Sequence, residues 1–301
     1  MKLKDIIKIY EDQRNEMPIS SKRPNTQKHF SLNSIIDKYE YFLFDAYGVL
    51  NLGDNPINGA REILSKIKSQ NKSFLILTNG ATYPTSKKLE IFKKWNFPIQ
   101  NEEIISSRDA LKSFLSLNNK NNYWGVIGNS DSDLNELSIK GDIILDTKMN
   151  FDQFDEFIFL GSGRWNENLQ KELINSLKRK QRKILVANPD LVAPLGNQFS
   201  LEPGYWGWEV KKETNCEIQF FGKPYKSIFN LAFDKIIKKS KDINLNKILM
   251  VGDTLHTDIL GGQSFGVHTA LIKDYGLFAN EEVEKYIMDT KIYPDLLISK
   301  L

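Results

Sequence analysis

Short, unbroken apolar runs recur along the chain, and each stops at a cluster of polar or turn-forming residues. YFLF runs into Asp45, SFLIL into Thr78, Asn79 and Gly80, and ILMV into Gly252 and Asp253; a further run, VHTALI, spans 267–272. Runs this short and this apolar are expected for strands buried on both faces of a parallel sheet. Between the first two the period changes, and Ala60, Ile63, Leu64 and Ile67 fall on one helical face. After Cys216 the segment IQFFGKPYKSIFNLAFDKIIKK reads as a strand, a tight turn and an amphipathic helix.

The middle of the chain alternates on its own. YWGVIGN (123–129), DEFIFLGSG (155–163) and KILVANPD (183–190) each read as a strand leading into a loop, with helical patterns such as 169–177 between them. These elements predict an α/β protein. The two ends of the chain form one layered core, 41–82 plus 213–301, and 83–212 forms a second α/β unit inserted into it. A helical extension, 1–40, precedes both: a helix over 3 to about 15, a polar linker MPISSKRPNTQKHFS that wraps the surface, and a short helix over 34–39.

Composition narrows the classes. With 301 residues, 41% of them hydrophobic, the chain can bury a sizeable core. Its 41 basic and 38 acidic residues nearly balance, so no nucleic-acid partner is expected. The densest basic run, Lys178, Arg179, Lys180, Arg182 and Lys183, is expected to close a helix and face solvent. The single cysteine, Cys216, allows neither an internal disulfide nor a cysteine metal site and is expected as a buried filler. The first residues lack the apolar core of a signal peptide, and no run approaches the roughly eighteen apolar residues of a membrane span. A cytoplasmic protein with no membrane partner is the expectation.

The strand-end loops carry the candidate chemistry. Taken singly, each has an ordinary reading: Asp45 as a turn residue, Thr78-Asn79-Gly80 as a closing turn, Lys223 as a solvated turn lysine, Asp253 and Asp258 as a helix cap and a surface charge. Taken together they follow apolar strands in order. They supply a carboxylate nucleophile, hydroxyl and amide donors, a cation and hard oxygen ligands. Open parallel sheets bind ligands at this edge. The set suits phosphoryl transfer assisted by Mg²⁺, which favours a few carboxylates and water.

The ordered quartet resembles the haloacid dehalogenase superfamily, with FDAYGVL, LTN, FGKP and VGDTLHTD in the places of its four motifs, over most of the chain from Tyr41 to about Ile272. The insertion between the second and third motifs, with ANPD (187–190) and EPGYW (202–206), is similar to class IIA, the nitrophenylphosphatase-like and nucleotide-phosphatase-like branch. The resemblance implies a Rossmann-like parallel-sheet core with a large inserted cap. It implies a phosphatase-like hydrolase acting on a small phosphorylated metabolite through an aspartyl phosphate. Asp45 would be the nucleophile and Lys223 its neutralising cation. Thr78, Asn79 (through its amide) and Gly80 would hold the phosphoryl oxygens. Mg²⁺ would be bound by Asp45, Asp253, Asp258 and the main-chain carbonyl of Tyr47. Asn188, Asp190 and the loop near Gly204 would recognise substrate from the cap.

One position departs from the pattern. Where the family's phosphatases carry a second aspartate that exchanges protons with leaving group and water, this chain has Tyr47. A phenol with an ordinary pKa of about 10 is a poor base at neutral pH, so general acid catalysis should be weakened. Two other readings follow: a non-catalytic protein that keeps the fold and its metal, and a 2-haloacid dehalogenase-like carbon–halogen hydrolase. The second needs a small cap directly after the first motif, for which the 25 or so residues after Asp45 leave little room. His256 stands either on a helix surface or in place of the missing group. Exposed cap surfaces leave room for a homodimer.

Overall fold

The computed structural model describes residues 2–20, 24–118, 121–195, 198–238 and 243–301. The chain starts with α1 (Leu3–Asp12), which buries Leu3, Ile6, Ile7 and Tyr10, followed by a 3-10 turn at Arg14–Glu16 and a strand, β1 (Gln27–Ser31). β2 (Tyr41–Phe44) ends at Asp45. A small flap of β3 (Asn51–Leu52) and β4 (Asn55–Pro56) then leads through α2 (Ala60–Ser69) to β5 (Ser73–Thr78). α3 (Thr85–Lys94), β6 (Ile104–Ser106) and α4 (Ser107–Asn118) come next.

The inserted unit holds β7 (Tyr123–Ile127), β8 (Lys140–Ile143), β9 (Glu156–Phe159), α5 (Glu167–Arg179) and β10 (Ile184–Val186). A hairpin of β11 (Val192–Leu195) and β12 (Gln198–Leu201) follows, then α6 (Pro203–Glu213) and β13 (Ile218–Phe220). The chain returns through α7 (Lys226–Ile237), β14 (Ile248–Gly252), α8 (Leu260–Phe265), β15 (His268–Ile272), α9 (Val283–Thr290) and β16 (Leu296–Lys300).

The apolar runs pair as their composition requires. A seven-stranded parallel sheet has the order β1-β16-β15-β14-β2-β5-β6, and a five-stranded parallel sheet has the order β13-β10-β9-β7-β8. In the first, the chain departs from β2 toward β5 and β6, and β14 to β16 fill the other side. The switch point therefore falls between β2 and β14, where such sheets hold ligands. Val251 pairs with Phe44, so Asp45 and Asp253 leave adjacent strands at nearly the same level. The expected face of α2 is buried through Ala60, Ile63, Leu64 and Ile67.

The boundaries differ from expectation. The stretch from 83 does not begin the inserted unit, because β6 extends the first sheet beside β5. The run IQFF does not return the chain to the core, because β13 pairs with β10 in the second sheet, Ile218 beside Ile184. Three-residue strands carry too little pattern to reveal which sheet they join. Nor is 1–40 only helical. Part of the expected linker, 27–31, is an edge strand on β16, and the expected helix over 34–39 is a pair of 3-10 turns at Leu32–Ser34 and Ile36–Lys38. Positions 21–23 of that linker lie outside the described residues. After Asp45 there is only the β3–β4 flap, with no small cap.

Two smaller expectations divide. Cys216 is buried, as a filler should be. The basic run closes α5, but Arg182 turns inward, only 5% exposed, and donates to the carbonyls of Phe151 and Phe154 at 2.8 and 3.2 Å. Its guanidinium satisfies carbonyls that the chain would otherwise bury unpaired.

Candidate active site

Lys223 joins the two halves of the sheet edge. Its Nζ lies 2.6 Å from Asp45 Oδ1 and 2.7 Å from Asp258 Oδ1, and the lysine is 1% exposed. Burial works against the ammonium, but Asp258, Asp45 and Asp190 outweigh it and hold its pKa above the ordinary value. Burial in turn pushes the Asp45 carboxyl up, and Lys223 pulls it back. The Asp45 side chain also accepts from the Ala46 amide at 2.8 Å, which fixes its rotamer. The peptide between Lys223 and Pro224 is cis.

Asp253 is fixed by a loop that gave little sign of itself. Its Oδ2 accepts the Leu277 amide at 2.8 Å, and its Oδ1 accepts the Thr254 hydroxyl at 2.9 Å. Gly48 and Gly276, with φ of +79° and +70°, let two backbone segments approach that carboxylate; a Cβ at either would collide with it. Burial raises the Asp253 pKa well above the carboxylate range, and Asp258 and Asp45 push the same way. Asp45, Asp253 and Asp258 each bring one oxygen within 4.8 Å of the others. Lys223 pairs with two of these three buried carboxylates and leaves Asp253 without a cation among the described residues, so the donor set fits a divalent cation, which would relieve their repulsion.

Asn79 acts as a bracket. Its Nδ2 donates to Asp190 Oδ1 at 2.8 Å and to the Lys223 carbonyl at 2.9 Å, and its Oδ1 accepts the Lys223 amide at 2.7 Å. The side-chain amide is thus fully engaged. Thr78 ends β5, 7% exposed, with its Oγ1 accepting the Gly80 amide at 3.2 Å.

Of the cap candidates, Asp190 reaches the site and Asn188 does not. Asn188 Oδ1 accepts the Asp190 amide at 3.0 Å, and its Nδ2 donates to Glu202 at 3.2 Å, so it builds the turn. Gly204 supports the same turn through its amide, 3.1 Å from the Asp190 carbonyl, where a Cβ would not fit. Asn-Pro-Asp and Glu-Pro-Gly are one structure, a turn that delivers Asp190.

The site is closed. Asp45, Asp190, Asp253, Tyr47 and Tyr10 line a cavity of about 40 Å³, enough for a few waters and too small for a phosphate ester. Its cover is the β11–β12 hairpin, to which Tyr47 is tied: its hydroxyl donates to the Pro194 carbonyl at 2.8 Å. Pro194 and Leu277 also line a larger outer cavity of about 490 Å³ that reaches Lys2, Lys4 and Tyr286.

Tyr10 enters this cavity from α1 with no signal in the sequence beyond its place on an amphipathic helix. Its hydroxyl accepts the Leu191 amide at 3.1 Å, and its ring stacks on His256 with centroids 4.6 Å apart. His256 is therefore neither on a helix surface nor in the cavity. It is buried beneath α1, its Nε2 donating to Glu11 at 2.6 Å. Burial lowers its pKa, against the pull of Glu11.

Two family models match the chain. One, described as haloacid dehalogenase-like hydrolase, covers residues 42–140, and one described as HAD-hydrolase-like covers 220–301. The acid sugar phosphatase of Staphylococcus haemolyticus is 27% identical over 267 residues, covering 87% of this chain and 95% of that protein. The chloroplastic phosphoglycolate phosphatase 1A of Arabidopsis thaliana is 28% identical over 296 residues, covering 92% and 79%. A crystal structure described as a possible sugar phosphatase of the haloacid dehalogenase superfamily, from Cytophaga hutchinsonii, superposes with a TM-score of 0.80 at 28% identity, covering 92% of this chain and 98% of that one.

Proposed function

This chain belongs to the haloacid dehalogenase-like hydrolases, class IIA, and from that premise we propose that it is a phosphatase of small phosphorylated metabolites, sugar phosphates among them, with Asp45 as nucleophile. The observation that carries the reading is the Lys223 ammonium, held between Asp45 and Asp258 within hydrogen-bond distance of both. A lysine so placed offsets part of the burial that raises the Asp45 pKa and neutralises an incoming phosphoryl group.

In this reading an Asp45 oxygen attacks phosphorus, the bond to the leaving oxygen breaks, and water later cleaves the aspartyl phosphate. Thr78 and the Asn79 amide orient the phosphoryl oxygens, and Gly80, whose amide is held by Thr78 Oγ1, shapes the turn around them. Mg²⁺, held by Asp45, Asp253, Asp258 and the Tyr47 carbonyl, would supply charge neutralisation when bound. The hairpin over the cavity must part to admit substrate, and the outer cavity beyond Pro194 and Leu277 would then receive the leaving group. The names of the two curated relatives support a phosphorylated sugar or small acid as substrate. The carbon–halogen reading loses support, because only a short flap follows Asp45.

The test is phosphate release from a panel of sugar, glycolate, glycerol and aryl phosphates, with Mg²⁺, for wild type and Asp45→Asn. Release by wild type, its loss in the variant, and a hydroxylamine-labile phosphoenzyme are expected. No release from any ester, or equal release by both proteins, would end the proposal.

A further inference from the structure

The site brings a nucleophile, a cation and a metal-binding set together, yet an alkyl phosphate also needs a proton for its leaving oxygen. Five proton-exchanging side chains line the inner cavity: Tyr10, Tyr47, Asp45, Asp253 and Asp190. Asp45 and Asp253 are committed to attack and to metal. The Tyr47 hydroxyl donates to Pro194, and the Tyr10 hydroxyl receives the Leu191 amide. Burial pushes both phenols further from neutrality. Asp190 remains.

We propose that Asp190, carried by the cap, is the proton-transfer residue of this hydrolase. The inference rests on the phosphatase reading above and adds to it the group that handles the proton. Its geometry is set by Asn79, which holds the Asp190 carboxylate and the Lys223 backbone with one amide, while the Lys223 ammonium holds Asp45. Nucleophile and acid, on different domains, are registered to each other through two side chains. The turn beneath Asp190 is pinned by the Asn188 side chain and the Gly204 amide.

In the first half-reaction the Asp45 oxygen bonds to phosphorus, the bond from phosphorus to the ester oxygen breaks, and the Asp190 proton passes to that oxygen, releasing alcohol. In the second, the Asp190 carboxylate takes a proton from water as its oxygen attacks phosphorus. The bond from phosphorus to Asp45 breaks, and phosphate leaves with Asp190 protonated again. Burial raises the Asp190 pKa to about 7, against Lys223 and the Asn79 amide, with Asp258 and Glu202 pushing upward. A group near neutrality can serve in both directions.

The experiment compares wild type, Asp190→Asn and Asp190→Glu on p-nitrophenyl phosphate, whose leaving group needs no proton, and on glycerol phosphate, whose leaving group does. Asparagine keeps the acceptor for Asn79, and thermal melting checks the fold. For Asp190→Asn we expect kcat/KM on glycerol phosphate to fall by roughly 10²–10⁴-fold. On p-nitrophenyl phosphate a burst of about one nitrophenolate per enzyme should precede a stalled steady state with trapped phosphoenzyme. Asp190→Glu should recover part of the glycerol phosphate activity. Unchanged rates on both esters, or an equal loss on both with no burst, would overturn the assignment while leaving the phosphatase reading intact. A wild type inactive on every ester would instead remove the phosphatase reading, and this one with it.

Discussion

The Tyr47 hydroxyl donates to the Pro194 carbonyl at 2.8 Å, so the residue two places after Asp45 is fastened to the hairpin that covers it. Tyr47→Phe deletes one hydrogen bond across the domain interface, worth about 0.5–1.5 kcal/mol. Amide exchange in 192–195 and 198–201 should quicken, and kcat on aryl phosphates should change by less than about threefold. A fall beyond about tenfold, measured beside the exchange, would show that the hydroxyl takes part in the chemistry.

Metal removal should be visible in stability as well as rate. With Asp45, Asp253 and Asp258 crowded together, Mg²⁺ at about a hundred times its Kd should add about 2.7 kcal/mol by mass action. In chelator the sign of the pH dependence follows from raised folded-state pKa values. Asp190, raised to about 7, binds more protons folded than unfolded. Its contribution is fully present below the unfolded pKa of about 4 and is lost as pH rises through about 7. Melting in chelator across that window should slope downward with pH, and Asp190→Asn should flatten it.

Asn79→Ala removes three hydrogen bonds at once and leaves the Asp190 carboxylate and the Lys223 peptide without those partners. Unsatisfied buried groups cost about 1–3 kcal/mol each, so denaturant melts should show a loss of several kcal/mol alongside lost activity. Thr78→Val, by contrast, should reduce phosphate release with a much smaller effect on stability. If both variants melt like wild type, the bracket is not what positions Lys223.

The helix α1 should come loose in acid before the core does. His256 lies beneath it with a folded-state pKa below the ordinary value, so its contribution to docking is present above about pH 6.5 and is lost as pH falls through the folded pKa. Arg14 lies on the same side and Glu11 opposes it. Limited proteolysis between pH 7 and 5 should cut within α1 increasingly fast, and His256→Gln should weaken that pH dependence. Tyr10→Ala, which removes the stack on His256, should give rapid cleavage at every pH.

What could be read from the sequence was what strands carry on their own. The runs ending at Asp45, Thr78 and Asp253 announced buried strands, and the order of their polar ends announced a shared site. Lys223 was legible through its Gly-Lys-Pro turn. The Leu277 amide was not, because a main-chain donor has no residue type. Tyr10 was not, because an apolar helical stripe says only that something is covered. The sheet assignments of β6 and β13 escaped because register is a property of the partner strand. Tyr47 showed as a missing carboxyl, and only the fold reveals what its hydroxyl holds.

The edge strand β1 lies on β16, and the Thr26 hydroxyl just before it reaches the Pro294 carbonyl, 268 positions away. During synthesis, β1 emerges long before the surface it lies on. It must stay unpaired while the other strands are made, with one edge of a growing sheet open to wrong partners. Closing so long a loop is slow, and non-local pairings of this kind delay folding more than they weaken the product. The polar residues of β1, which hid it as a strand, would keep it soluble through that wait.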